Sequence, residues 1–180
     1  MNSIKDRAAD IAAEAQKLHK PVWNPTQGNP KNPTPRAELQ AQSSKLTSLE
    51  EAIRQSGLRD GMTISFHHHF RGGDKVVNLV VAKLAKMGYR NLHLAASSLN
   101  DVHEPLIDHI RQGVITRIST SGLRGELARA ISMGLMEEPV VFRSHGARGD
   151  AIARGELHID VAFLGASSAD PLGNACGYSR

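Results

Sequence analysis

Five short apolar runs, each no longer than six residues, alternate with stretches of helical spacing from Met62 onward. This constrains the fold more than any other feature of the chain. The runs are Met62 to Phe66, Asn91 to Ala95, Val114 to Ile118, Pro139 to Phe142 and Ile159 to Leu164. The intervening segments predict helices over 74–87, 104–111, 123–133 and 147–154. In the first of these, Val77, Val80, Val81, Leu84 and Ala85 share one face, and Gly88 stops it. Strands alternating with helices imply an α/β fold, a mostly parallel sheet with flanking helices. The runs read as continuous rather than alternating, which predicts a sheet buried on both faces by apolar side chains. Crossovers between parallel strands should be right-handed.

Upstream the pattern changes. Ile4, Ala8, Ile11, Ala12, Ala15 and Leu18 predict an amphipathic helix over 3–19, which Pro21 ends. Five prolines between Pro21 and Pro35 then mark an extended arm or linker, with Trp23 as a packing anchor. A division follows: residues 1–47 form a helix and arm, and 48–180 form the α/β domain. That domain opens with a short helix from Ser48, a candidate N-cap with Glu51 three residues on, to Gly57.

Composition excludes several classes. The length suits one domain with its own core. No apolar run has the length of a membrane span, and Met1 to Lys20 lacks the apolar centre of a secretory signal. Cys176 is the single cysteine, so a reducing, cytoplasmic setting fits. Net charge is only +4, Lys and Arg are dispersed and aromatics are 4% of residues, which argues against a nucleic-acid surface.

Ligands of open parallel sheets bind outside the carboxyl ends of the strands, where every strand-to-helix turn opens. Here those turns are His67 to Asp74, then Ser97, Ser98 and Asn100, then Ser119 to Gly122 with Arg124, then Arg143 to Gly146 with Arg148. A fifth segment runs from Gly165 to Pro171. Hydroxyls, glycines and arginines dominate this rim and carboxylates are scarce. It suits an anion: a polycarboxylate, a phosphate or a CoA-like thioester. His67 and His69 share a face of the extended chain and His68 takes the other. They read as hydrogen-bond donors to an anion, as a proton shuttle, or in part as packed core. No metal site is expected: a zinc centre needs more ligands, Cys176 lies far off, and there is no HExxH. Asp101, His103, Glu104, Asp108 and His109 read as a solvated helix face, Cys176 as an incidental thiol, and Glu156 as lying at the opposite edge.

Several of these segments carry a resemblance. The run Asp60-Gly61-Met62-Thr63-Ile64-Ser65-Phe66-His67-His68-His69-Phe70-Arg71 resembles the α subunit of bacterial citrate lyase, its citrate CoA-transferase subunit. So do Arg143-Ser144-His145-Gly146, the run Gly155 to Phe163, and Ala169-Asp170-Pro171-Leu172-Gly173-Asn174-Ala175. The likeness extends from about Leu58 to Ala175 and includes the character of the Pro-rich arm. It implies a CoA-transferase-like domain, truncated relative to the family, whose subunits carry a second similar half that completes the active site.

The implied reaction exchanges acetate for citrate on the thioester of an acyl carrier protein, before another subunit cleaves the citryl thioester to oxaloacetate. Implied partners are the β subunit and the γ (acyl carrier) subunit. The chain itself is expected to bind no cofactor. It acts on the CoA-derived prosthetic group of the carrier. By position, His67, His68, His69, Arg71 and Gly72 take the oxyanion-stabilising role of the family's glycine-rich turn. Gly73, Ser97, Ser98, Ser121, Gly122, Arg143, Ser144, His145 and Gly165 are candidates for binding substrate or the CoA moiety. The competing readings are a citramalate lyase α subunit, a non-catalytic assembly or binding module, and a sugar-phosphate-binding domain of related architecture.

Overall fold

The computed structural model describes residues 45–67, 74–166 and 168–176. The helix over 3–19, the Pro-rich arm with Trp23, and His68, His69, Arg71, Gly72 and Gly73 lie outside the described residues. Compact units divide the chain at Gln42/Ser43, and everything described belongs to the second.

Helix α1 (Leu49–Gln55) begins where expected. Ser48 Oγ accepts from the Glu51 amide at 3.1 Å, and Gly57 leaves the helix at φ +72°. Then follow β1 (Thr63–His67), α2 (Val76–Lys86), β2 (Leu92–Ala96), a 3-10 turn (Asp101–His103) and α3 (Leu106–Arg111). After these come β3 (Ile115–Thr120), α4 (Gly125–Ser132), β4 (Val141–Phe142), α5 (His145–Ala153) and β5 (Val161–Leu164). Helix α3 starts two residues later than the expected 104, with Pro105 at its N-cap. Strand β4 is just two residues long and exposed, as suits an edge strand. Beyond β5, the segment read as a fifth rim turn leads into a small antiparallel hairpin, β6 (Ser168–Ala169) with β7 (Ala175–Cys176). Asp170 organises its loop, accepting from the amides of Leu172 and Asn174 at 2.9 Å each. No described helix is long and apolar enough to cross a membrane.

The five main strands form a sheet of order β4-β3-β2-β1-β5, parallel throughout. Winding proceeds from β1 outward through β4, then reverses to place β5 on the other side of β1. Right-handed crossovers running in opposite directions deliver their helices to opposite faces. Helices α1 to α4 accordingly share one core with Ile64, Phe66, Leu92, Leu94 and Ile118. Helix α5 instead packs Ala151 against Ala95, with Leu157 and Ile159, on the other face. Phe66 stacks on Phe163 at 5.3 Å, a contact worth about 0.5–1.5 kcal/mol beyond its burial, which ties β5 to β1 on the main-core side.

The strands differ from the sequence expectation in one respect. They alternate. In Thr63-Ile64-Ser65-Phe66-His67, Ile64 and Phe66 enter the main core, while Thr63 and Ser65 point to the other face and are still 8% exposed or less. Both faces are buried in the middle of the sheet, but the α5 face is lined with polar and small residues.

Asp160 sets the register at the reversal. Its Oδ2 accepts from the Thr63 amide at 2.8 Å, and its own amide donates to Thr63 O at 3.0 Å. Asp160→Ala leaves a nearly buried amide without its acceptor and should cost about 1–3 kcal/mol. Urea unfolding with an unchanged m-value is the check. Asp160→Asn, which keeps an acceptor oxygen, should recover most of the loss.

Candidate functional site

The parallel pairing brings the candidate turns to one edge. Phe66 pairs with Ala96, so the ends of β1 and β2 lie side by side. His67, exposed at the end of β1, pairs with Leu164, the residue before half-buried Gly165. The turns after β2 and β3 are stitched together. Ser121 N donates to Ser97 O at 2.9 Å, Leu99 N to Gly122 O at 2.9 Å, and Arg124 N to Leu99 O at 3.0 Å. Arg143 N donates to Thr120 O at 3.0 Å and extends the ladder toward β4. These amides are therefore committed to the protein, and what this rim offers a ligand is side-chain hydroxyl and guanidinium. Ser97 is buried, Ser98 and Ser121 are half-buried, and Ser121 Oγ has no partner among the described residues.

The fourth turn divides its labour. Ser144 caps α5, accepting from the Ala147 amide at 3.1 Å. His145 stands exposed at the first position of that helix, while Arg143 is half-buried. Four residues into the segment, Arg148 reaches back over the sheet. Its Nη2 donates to Ser65 Oγ at 2.7 Å and to Ala95 O at 3.1 Å.

On that same polar face a chain of side chains crosses three strands. His93 Nε2 meets Ser119 Oγ at 2.9 Å and Nδ1 meets Thr63 Oγ1 at 3.3 Å. Arg117 Nη2 donates to Gly61 O at 2.8 Å nearby. Burial first, then the charges of Arg117 and Arg143, push the His93 pKa down to about 4, so its ring is neutral at pH 7. The face is cationic without a protonated histidine.

His103 corrects the expectation of a solvated helix face. It is fully buried, with Nε2 3.7 Å from Asp74 Oδ2, whereas Asp101, Glu104 and Asp108 are exposed. His103 Nδ1 accepts from the Asn100 amide at 2.9 Å, so the neutral ring carries its proton on Nε2, toward Asp74. Burial lowers its pKa against the opposing pull of Asp74. Asp74 Oδ1 accepts from the Val76 amide at 2.9 Å and starts α2. The pair thus fastens the far end of the first turn to the 3-10 segment. Among the described residues no group of three or more His, Cys, Asp or Glu is gathered to hold a metal ion.

Sequence reasoning placed Ser119 and Arg148 in the ligand-edge turns without naming them as binding residues, and left Ser65, His93 and Arg117 out altogether. The period-two alternation in Thr-Ile-Ser-Phe-His and Leu-His-Leu-Ala is the signal that would have found Ser65 and His93. Arg148 could only be placed by knowing which face α5 covers.

Comparison with known proteins points to a family. The family described as Citrate lyase, alpha subunit, matches residues 43–180. The citrate lyase alpha chain of Escherichia coli (strain K12) is 60% identical over 153 residues, 85% of this chain and 30% of the relative. That of Klebsiella pneumoniae is 61% identical over 150 residues, 83% of this chain and again 30% of the relative. The chain thus spans about 30% of the length of these curated relatives. A crystal structure from Streptococcus mutans, described as a citrate lyase alfa subunit in complex with citrate, aligns with TM-score 0.73 and 57% identity. That alignment covers 76% of this chain and 27% of the other.

The depressed pKa of His93 has a consequence for stability. The unfolded chain takes up a proton near the ordinary value of 6.5, and the folded chain only near 4. Stability from this group is full above pH 6.5 and is lost as pH falls toward 4. Allowing for partial solvent screening, the loss is on the order of 1–2 kcal/mol. Denaturation at pH 7 and pH 4.5 should show a smaller acid-side loss in His93→Gln than in the parent. Equal losses would show that His93 does not carry the effect.

Proposed function

The chain belongs to the citrate lyase alpha subunit family, and on that footing we propose that it carries part of a citrate CoA-transferase site. The reaction is exchange on a thioester: citrate displaces acetate from the acetylated acyl carrier subunit, giving the citryl thioester and free acetate. The observation that carries this reading is the family match over residues 43–180, a span that contains every strand-to-helix turn of the sheet. The relatives that match bear the name citrate lyase alpha chain, which does not favour the citramalate alternative.

The geometry supports the same chemistry. A carboxylate attacking a thioester carbonyl develops negative charge on oxygen, and that charge is stabilised by donors already fixed in place. The described edge offers the hydroxyls of Ser97, Ser98 and Ser121 and the guanidinium of Arg143, and no metal is required for acyl exchange between two acids. In this reading His67, with His68, His69, Arg71 and Gly72 beyond the described residues, supplies donors to the oxyanion. Gly73, Ser97, Ser98, Ser121, Gly122, Arg143, Ser144, His145 and Gly165 line the acid and the CoA-derived group. Of these, Ser144 also holds α5, since its oxygen accepts in the cap while its O–H is left to donate. The chain holds no cofactor of its own in this reading. The thiol arrives on the carrier subunit, the β subunit takes the citryl product, and the setting is cytoplasmic.

A second reading has an observation behind it. Because the chain spans about 30% of its relatives' length, it can hold ligand or partner without completing the exchange.

Both readings are tested by following acetyl-CoA and citrate through thioester exchange, in this chain and in a version extended to the length of its relatives. Exchange in the extended version with citrate is expected. Activity with citramalate alone would sink the citrate assignment. Exchange in the extended version only would favour the second reading for the chain by itself. In the active form, His67→Ala combined with His69→Ala should lower exchange by about 100-fold or more with the circular dichroism spectrum unchanged. An unaltered rate would remove these histidines from the site.

A further inference from the structure

Arg148 is an arginine laid over the interior of a sheet and paired with no carboxylate among the described residues. Its Nη2 is held by two neutral acceptors, Ser65 Oγ at 2.7 Å and Ala95 O at 3.1 Å. Its Nε is buried and meets no acceptor among the described residues. Arg154, at the end of α5, behaves differently: it pairs with Asp150 at 2.6 Å and with Glu156 at 3.3 Å. A half-buried cation with an idle donor is costly to keep unless something anionic completes it.

The side chains of the sheet beneath Arg148 are mostly small, and Ser65, Ala95 and Ser119 are buried. Val141, Ser119, Ala95, Ser65 and Ala162 pair across the sheet in one register row and project to the face that Arg148 overlies. Apart from edge residue Val141, the side chains of that row are alanine or serine. The charge nearby is positive, since Arg117 and Arg143 both act on His93 next to Ser119. His67 lies two residues beyond Ser65 on the same side of β1, a rise of roughly 7 Å. An anion on Arg148 is thus one pleat from the end of β1, where the first turn begins.

We propose that Arg148 is the receptor for a carboxylate of the acid substrate, gripping it through Nε while Ser65 and Ala95 hold the guanidinium plane through Nη2. The proposal rests on the citrate-exchange reading for the identity of the acid and on the geometry alone for the presence of the receptor. The Nη2 anchor fixes the plane before the ligand arrives, so little rotamer freedom is lost on binding. Arg148 would then set where the acid lies relative to the turn that meets the thioester.

The test reads Arg148 directly. In the 15N-labelled 180-residue chain, its Nε–H resonance, assigned by its loss in Arg148→Lys, is followed during separate titrations with citrate, acetate and inorganic phosphate. The expected result is a saturable shift with citrate and a weaker one with acetate. A response to phosphate alone would reassign the group to a phosphate of the CoA-derived carrier and overturn the carboxylate receptor. No response to any of the three overturns it as well. By calorimetry, Arg148→Gln should weaken citrate about thirtyfold or more. Arg148→Lys, which keeps the charge but not the fork, should fall between, and Arg154→Gln should match the parent. Unchanged citrate affinity in a folded Arg148→Gln would refute the proposal. If the extended protein shows no citrate exchange but the Nε–H resonance still answers to carboxylates, the functional reading fails and the receptor stands.

Discussion

Strand β1 takes its two neighbours on opposite sides, both from later in the chain, and the rest of the architecture depends on that reversal of winding. β2 follows it immediately, while β5 returns to it after three more strands. Because crossovers keep one hand, the reversal sends α2 to α4 to the face that α1 also covers and leaves the other to α5. The first face is an ordinary apolar core. The second has a single short helix, whose Arg148 replaces apolar contact with a polar anchor on β1 and β2. The reversal also lies where open α/β sheets receive ligands.

The binding edge and the stabilising network share atoms. Backbone amides that a loop would ordinarily present to a ligand are used to stitch the β2 and β3 turns together. Ser144 is used to cap α5, and His93 joins Ser119 to Thr63. What is left over is hydroxyl and guanidinium: Ser98, Ser121, Arg143 and the idle Nε of Arg148. Such a set suits a ligand rich in oxygen anions. The cationic character of this face rests on three half-buried arginines, Arg117, Arg143 and Arg148, whereas Arg154 faces solvent.

Much of this was legible in the sequence. Helical spacing with Ser48 and Gly57 located α1 almost to the residue, and the five short runs gave a parallel sheet. The turns fell at one edge because parallel strands put all their carboxyl ends together. What could not be read were contacts between residues distant in the chain. His103 sits among charged neighbours in sequence, and only the approach of Asp74, almost thirty residues earlier, makes it a buried partner. Ser65 and Arg148, separated by 83 positions, meet only because α5 crosses the second face. The alternation in β1 was visible but was overridden by the expectation that parallel strands are apolar on both sides.

The Asp160–Thr63 pair joins residues 97 positions apart, and this bears on how the chain is made. As it leaves the ribosome, β1 can pair with β2 almost at once, but its other edge has no partner until the segment around Asp160 has emerged. At 5–20 residues per second that interval is roughly 5–20 s. For that time the strand destined for the middle of the sheet is an open edge, able to pair with the same strand of another nascent chain. Its sequence carries a partial safeguard. Histidine at its end and serine and threonine along one side give a foreign strand a wet, polar surface in place of a second apolar one. His67, proposed to meet the substrate, and Ser65, which holds Arg148, would thus also limit aggregation during synthesis.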